Sequence, residues 1–116
     1  MAEPAEAAAP LRVIMVCAGG LSSSLVETHL RQAGEARGVA LEIRSMSVIV
    51  LELMELGATP KVSAILVAPQ VRFARRNLER RSAGLGIAVL AIEPMDFGMA
   101  DGEAILDKLM AAIAPG

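Results

Sequence analysis

Three short apolar runs, Val13–Val16, Ala64–Ala68 and Ile87–Ile92, limit what this chain can fold into. Each run is continuous. A strand with one face in water alternates apolar and polar residues, whereas a strand covered on both faces shows no polar side. The runs therefore predict strands of a parallel sheet with helices on both faces. A fourth run, Val39 to Arg44, alternates at its end and suits an edge strand. Parallel strands cannot be joined by a tight turn, so each pair needs a crossover, usually a helix.

The chain supplies those crossovers. From Ser22 to about Arg37, Leu25, Val26, Leu30 and Ala33 share one side, and Gly38 is placed to end the helix. Between Val71 and Arg81, Val71, Ala74 and Leu78 form one stripe. Asp101 is a good N-cap for a last helix that buries Ile105, Leu106, Leu109, Met110 and Ile113 and ends at Pro115-Gly116. The segment Met46–Leu56 reads two ways. Val48 to Leu51 favour a strand by composition, whereas the spacing of Leu51, Met54, Glu55 and Gly57 favours a short helix, and a crossover needs the helix. Alternating strands and helices with right-handed crossovers predict one doubly wound α/β domain.

At 116 residues one domain is expected, and 54% apolar residues can fill a core. Aromatics are only 2%, so that core must be aliphatic, with Met15, Met46, Met54 and Met110 as filler. Met95 and Met99 flank Asp96-Phe97-Gly98 and suit a partner surface. The net charge of −2 argues against nucleic acid as a partner. One cysteine and one histidine leave no disulfide framework and no structural zinc site; no metal or cofactor is expected. Residues 1–10 read as a mobile tail without the basic and apolar regions of a secretory signal, followed by a domain over 11–114. No apolar stretch has the length of a membrane span. The expectation is a cytoplasmic protein with no direct membrane insertion.

Cys17 is the chemical focus. It ends the first apolar run and precedes Ala18-Gly19-Gly20-Leu21-Ser22-Ser23-Ser24, where the helical pattern begins. That order places a thiol at the carboxyl end of a strand, beside the free N–H groups of a helix start. Such a place binds anions and favours thiolate over thiol. Ligands of open α/β sheets bind outside the carboxyl ends of the strands. Gly19 and Gly20 allow a tight turn with exposed N–H groups, and the serines add hydroxyl donors, so Ala18 to Ser24 form a cradle for phosphoryl oxygens. A cysteine at a strand end can also be a small buried apolar residue. The glycine pair and three serines after it favour a nucleophile that carries a phosphoryl group.

The run Val16 to Leu25 resembles the phosphocysteine loop of IIB components of the bacterial phosphoenolpyruvate-dependent sugar phosphotransferase system, in the lactose/cellobiose/chitobiose branch. Two further stretches agree. Ile65-Leu66-Val67-Ala68-Pro69-Gln70 resembles that family's third strand with its Gly-Pro-Gln ending. Asp96-Phe97-Gly98-Met99-Ala100-Asp101-Gly102 resembles its Tyr-Gly-x-x-Asp-Gly stretch before the last helix. The resemblance covers about residues 11–114. It implies a four-stranded parallel sheet ordered 2-1-3-4. It also implies that Cys17 takes phosphate from a phosphohistidine on a IIA protein and passes it to a sugar held by a membrane IIC protein. Pro69, Gln70 and Arg72 on one side, and Asp96, Phe97 and Gly98 on the other, would shape the rim that meets IIA and IIC. The chain would touch the membrane only transiently, through IIC. Two residues depart from the family: Ala68 replaces glycine, and Phe73 stands where tyrosine is expected. The segment after the second strand is also longer and more apolar than usual.

Other readings remain. Low-molecular-weight tyrosine phosphatases use a Cys-x5-Arg loop after a first strand, but the sixth residue after Cys17 is Ser23, not arginine. A carrier must hold phosphate without hydrolysing it, which the missing arginine favours. A regulatory or thiol-sensing paralogue would rely on an intermolecular disulfide or a sulfenic acid, since no resolving cysteine exists. His29 lies about two turns into the helix, too far to act as a base for Cys17. Arg72, Arg75, Arg76, Arg80 and Arg81 form the one charge cluster, read either as a solvated helix face or as a dock for an acidic or phosphorylated partner.

Overall fold

The computed structural model describes residues 10–18, 21–58 and 61–113. The ten-residue tail other than Pro10, the glycines Gly19 and Gly20, and the Pro115-Gly116 terminus lie outside the described residues, as do the side chains of Leu21 and Ser22. Four strands, β1 (Leu11–Val16), β2 (Leu41–Met46), β3 (Ala64–Val67) and β4 (Ala88–Ala91), form one parallel sheet in the order β2-β1-β3-β4. This is the fold class and strand order expected from the sequence. The crossover helices are α1 (Leu21–Ala36), α2 (Val48–Glu52) and α3 (Arg75–Ser82), the last entered through a 3-10 segment, Pro69–Ala74. Two more helices, α4 (Pro94–Gly98) and α5 (Gly102–Ile113), follow β4.

Strand order and right-handed crossovers fix the layers. The path β1–α1–β2 moves one way across the sheet and β3–α3–β4 the other, so α1 and α3 cover opposite faces. Helix α5 packs against α1 and β4 and completes the α1 face. The inner strands are buried: all of β3, and Val13 to Val16 of β1. The run expected at Ile87–Ile92 is a strand, but all four residues of β4 are only half-buried, because β4 is an edge. β2, the other edge, alternates as its sequence does, with Ile43 inward and Glu42 and Arg44 outward.

Most helix faces match their spacing. Val26, Leu30 and Ala33 of α1 are buried, but Leu25 is 51% exposed and does not belong to that face. A residue adjacent to a stripe residue lies about 100° around the helix, and here Val26 occupies the inward position. Gly38 adopts φ +71 beyond the end of α1, a left-handed conformation that glycine takes without penalty. Asp101 caps α5 by accepting the Ala104 N–H at 3.0 Å. Ile105, Leu106 and Leu109 are buried, with Met110 and Ile113 packed at the core's margin. The ambiguous segment contains the helix that the crossover needs: Val48 to Leu51, strand-like by composition, are helical, and the helix ends at Glu52. Met46 finishes β2, Ser47 caps α2 by accepting the Val50 N–H, and only Leu51 of α2 is buried.

Helices α1 and α5 meet at Gly102. A Cβ there would collide with the His29 carbonyl on α1. Close by, the His29 ring Nδ1 lies 2.8 Å from the Ala100 carbonyl, a geometry in which Nδ1–H donates. This ties α1 to the turn before α5 and gives His29 a structural place in a groove. Gly102→Ala should therefore destabilise the fold by about 1–3 kcal/mol, the cost of overpacking. Gly98→Ala, whose new methyl would meet nothing within 4 Å, should stay within about 0.5 kcal/mol. Urea unfolding midpoints of the two variants check the contrast.

Candidate functional site

Strand β1 pairs with β2 on one side and β3 on the other, and Cys17 is the first residue beyond it. The pairing continues past the strand end. The Cys17 N–H donates to the Met46 carbonyl at 3.0 Å, and the Ala68 N–H donates to the Val16 carbonyl at 2.9 Å. One strand further, the Ile92 N–H donates to the Val67 carbonyl. The four chains thus leave the sheet along one carboxyl edge: Cys17 toward α1, Ser47 toward α2, Pro69 toward the 3-10 segment, and Glu93 toward α4. Cys17 lies near the middle of that edge, where sequential connections diverge and open α/β sheets bind ligands.

Cys17 is 4% exposed and belongs to the buried core. Helix α1 begins four residues later and runs back toward the other edge, so its N-terminus and first free N–H groups lie on the Cys17 edge. Of the expected cradle, Ala18 and Ser24 are exposed, and Ser23 is buried and engaged in an interaction. Gly19 and Gly20 are outside the described residues.

The rim residues separate. Pro69 opens the 3-10 segment, and Gln70 and Arg72 are exposed along it. Pro69 and Arg72 share a depression of about 330 Å³ with Glu93 and Pro94 at the ends of β3 and β4. Phe97 is buried and anchors α4 in the core, so it supports a rim and presents no surface of its own. Asp96 accepts a hydrogen bond from Lys108 Nζ at 2.7 Å. That bond, with the charges of Asp96, Glu93 and Asp101, holds the Lys108 ammonium above its ordinary pKa. Asp96 is therefore engaged in fixing α4 to α5, while Gly98 is exposed at the end of α4. The departure at Ala68 is accommodated: its backbone is extended (φ −67, ψ 151), so no glycine is required, and its methyl is fully buried.

Sequence reading gave Arg81 no separate role. Its guanidinium donates to the Leu51 carbonyl at 3.3 Å and the Met54 carbonyl at 2.8 Å, closing the C-terminal end of α2. With Ser47 at the other end, this fixes the segment that starts beside Met46, the residue bracing Cys17. The only sequence signals were a serine before an apolar run and an arginine at the end of a helix facing it.

The comparisons agree with this architecture. Residues 12–108 match the model of the family described as PTS system, Lactose/Cellobiose specific IIB subunit. The galactose-specific EIIB component of the PTS system of Lactococcus lactis subsp. cremoris is 30% identical over 101 residues, covering 86% of this chain and 90% of that protein. The cellobiose-specific EIIB component of Lactococcus lactis subsp. lactis gives the same identity and coverage, 30% over 101 residues. In fold, the lactose-specific IIB domain of Streptococcus pneumoniae superposes with a TM-score of 0.72 at 20% identity, covering 90% of this chain and 98% of that one. The chain belongs to the lactose/cellobiose-specific IIB family of the sugar phosphotransferase system. Members of that family are sugar-specific phosphotransferase components that work with IIA and IIC proteins.

Arg81→Met keeps the apolar stem and removes both hydrogen bonds to α2. It should cost about 1–2 kcal/mol. It should also raise amide exchange rates selectively over residues 48–56, as read by hydrogen-exchange mass spectrometry.

Proposed function

We propose that this protein is a phosphoryl carrier of a sugar-uptake phosphotransferase system, with Cys17 as the carrying residue. The observation that supports it most is the position of Cys17 at the middle of the carboxyl edge, braced through its N–H by Met46 and followed by the start of α1, in a chain of the IIB family. Ala18 to Ser24 would hold the phosphoryl oxygens through backbone N–H groups and hydroxyls.

In the first transfer the sulfur attacks the phosphorus of a phosphohistidine on IIA. The S–P bond forms, the N–P bond breaks, and the thiol proton ends on the released imidazole. In the second, a hydroxyl oxygen of a sugar held by IIC attacks the same phosphorus. The O–P bond forms and the S–P bond breaks. The hydroxyl proton passes to the leaving sulfur or to water. Little covalent chemistry is asked of the protein beyond the sulfur, so its part is positioning and charge stabilisation. The loop lacks an arginine six residues after Cys17, where a cysteine phosphatase would clamp phosphate, which suits a carrier that must not hydrolyse its cargo. Residues 11–114 would act as one unit. The site of action would be the cytoplasm, with the membrane reached through IIC; among the described residues no helix is long and apolar enough to cross a bilayer.

The test is intact mass after incubation with phosphoenolpyruvate, the general relay proteins and a lactose/cellobiose-type IIA protein. The wild type should gain about 80 Da, the mass of one phosphoryl group, and Cys17→Ala should gain nothing while keeping its unfolding curve. A gain on Cys17→Ala would move the site elsewhere. No gain on wild type beside phosphorylated IIA would favour the regulatory paralogue.

A further inference from the structure

The five arginines between Arg72 and Arg81 fall into two groups. Arg75 pairs with Glu79 at 3.1 Å, and Arg81 is committed to the carbonyls at the end of α2. Arg72, Arg76 and Arg80 are exposed and have no ion pair or hydrogen bond among the described residues. Arg76 and Arg80 stand one turn apart on α3, and Arg72, on the 3-10 segment before it, lines one depression with Arg76, so the three form one positive stripe. Like charges at that spacing repel one another, so the stripe is a cost to the isolated fold. The segment carries five arginines against one glutamate in a chain whose net charge is −2, so positive charge is concentrated on this surface.

Phe73 lies beside the stripe and is 77% exposed. It is one of two aromatic residues in the chain, and the other, Phe97, is in the core. Arg72, Phe73, Arg75, Arg76 and Glu79 line a shallow depression of about 420 Å³. Arg72 and Arg75 also line the depression at the ends of β3 and β4, so the surface is continuous with the Cys17 edge. Arginine and an aromatic side chain around a depression are the residue types that dominate protein–protein binding energy. A single aromatic gives no stacking track for nucleic acid.

We infer that this stripe, with Phe73 as its apolar anchor, docks an acidic face of the protein that delivers the phosphoryl group. The inference rests on the carrier reading of Cys17. A phosphoryl group adds a charge of about −1.5 to −2, so a positive stripe attracts the charged donor more than the discharged one. The transfer itself moves that charge onto Cys17, which weakens the hold on the spent donor. The main effect is on association, as expected for charge at an accessible surface.

The experiment titrates a lactose/cellobiose-type IIA protein into ¹⁵N-labelled Cys17→Ser protein, so that binding is read without chemistry. Backbone shifts should cluster at residues 72–80 as well as at the Cys17 edge. Arg76→Glu with Arg80→Glu should weaken binding at least about tenfold, as should Phe73→Ser. Lys61→Glu, with the charge change of one such substitution at the opposite end of β3, should not. Raising salt from about 0.1 to 0.5 M should weaken the wild type much more than the double variant. Unchanged affinity in the double variant, shifts confined elsewhere, or no binding at all overturns the inference. Binding of the wild type, lost in the double variant, to vesicles containing phosphatidylglycerol but not to IIA would also overturn it, in favour of a lipid surface. Phosphoryl transfer to the wild type is measured separately: a normal footprint with no transfer sinks the Cys17 reading and leaves the docking surface standing.

Discussion

The pairing of β1 on both sides is the constraint on which the rest depends. Parallel ladders with β2 and β3 use its backbone groups along its length, and the pairing runs on to the Cys17 N–H and the Val16 carbonyl. A buried strand with unmet hydrogen bonds would be heavily penalised, so pairing on both sides holds β1 in place. The last peptide of this rigid strand carries the sulfur. The position of the thiol is therefore set by the centre of the sheet.

The two helical layers then hold the edge from which the loops leave. On one face, Gly102 lets α5 lie against the α1 backbone, and His29 and Asp101 secure the turn between α4 and α5. Arg37 adds ion pairs to Glu103 and Asp107 near the far end of α1, which hold its guanidinium above its ordinary pKa. On the other face, Leu51 and Arg81 fasten a five-residue α2 that would be far too short to persist alone. Several charged groups here place backbone, whereas Arg72, Arg76 and Arg80 of the stripe have no ion pair or hydrogen bond among the described residues.

Much of this was legible in the sequence because the governing patterns are local. Val13–Val16 and Ala64–Ala68 read as inner strands, since nothing polar interrupts them, and Asp101 and Gly38 announced the helix ends they make. The family resemblance supplied the strand order, which pattern alone does not fix. Other features depend on what a residue meets from far along the chain. Leu25 is apolar and falls near the helical stripe, yet tertiary packing leaves it exposed. Phe97 read as rim from its place in a motif, but α4 turns it inward. Arg81 could not be separated from its neighbours until α2 was seen against α3. In the segment 46–56 a strand end, a cap and a helix occupy successive residues, so neither periodicity has room to show itself.

The sheet has two open edges, and each is unattractive as a template for further strands. β4 offers only four residues, Ala88–Ala91. β2 is longer, but Glu42 and Arg44 project from it and Glu42 is held by Arg12 across the strand pair at 2.6 Å. Charge and brevity are the usual means by which natural sheets discourage lateral accretion. The two flanks of the sheet are thereby kept inert, and its carboxyl edge, where the loops leave, stays apart from them. Crowding many copies together should leave the sheet finite, its growth stopped at both flanks by side-chain chemistry.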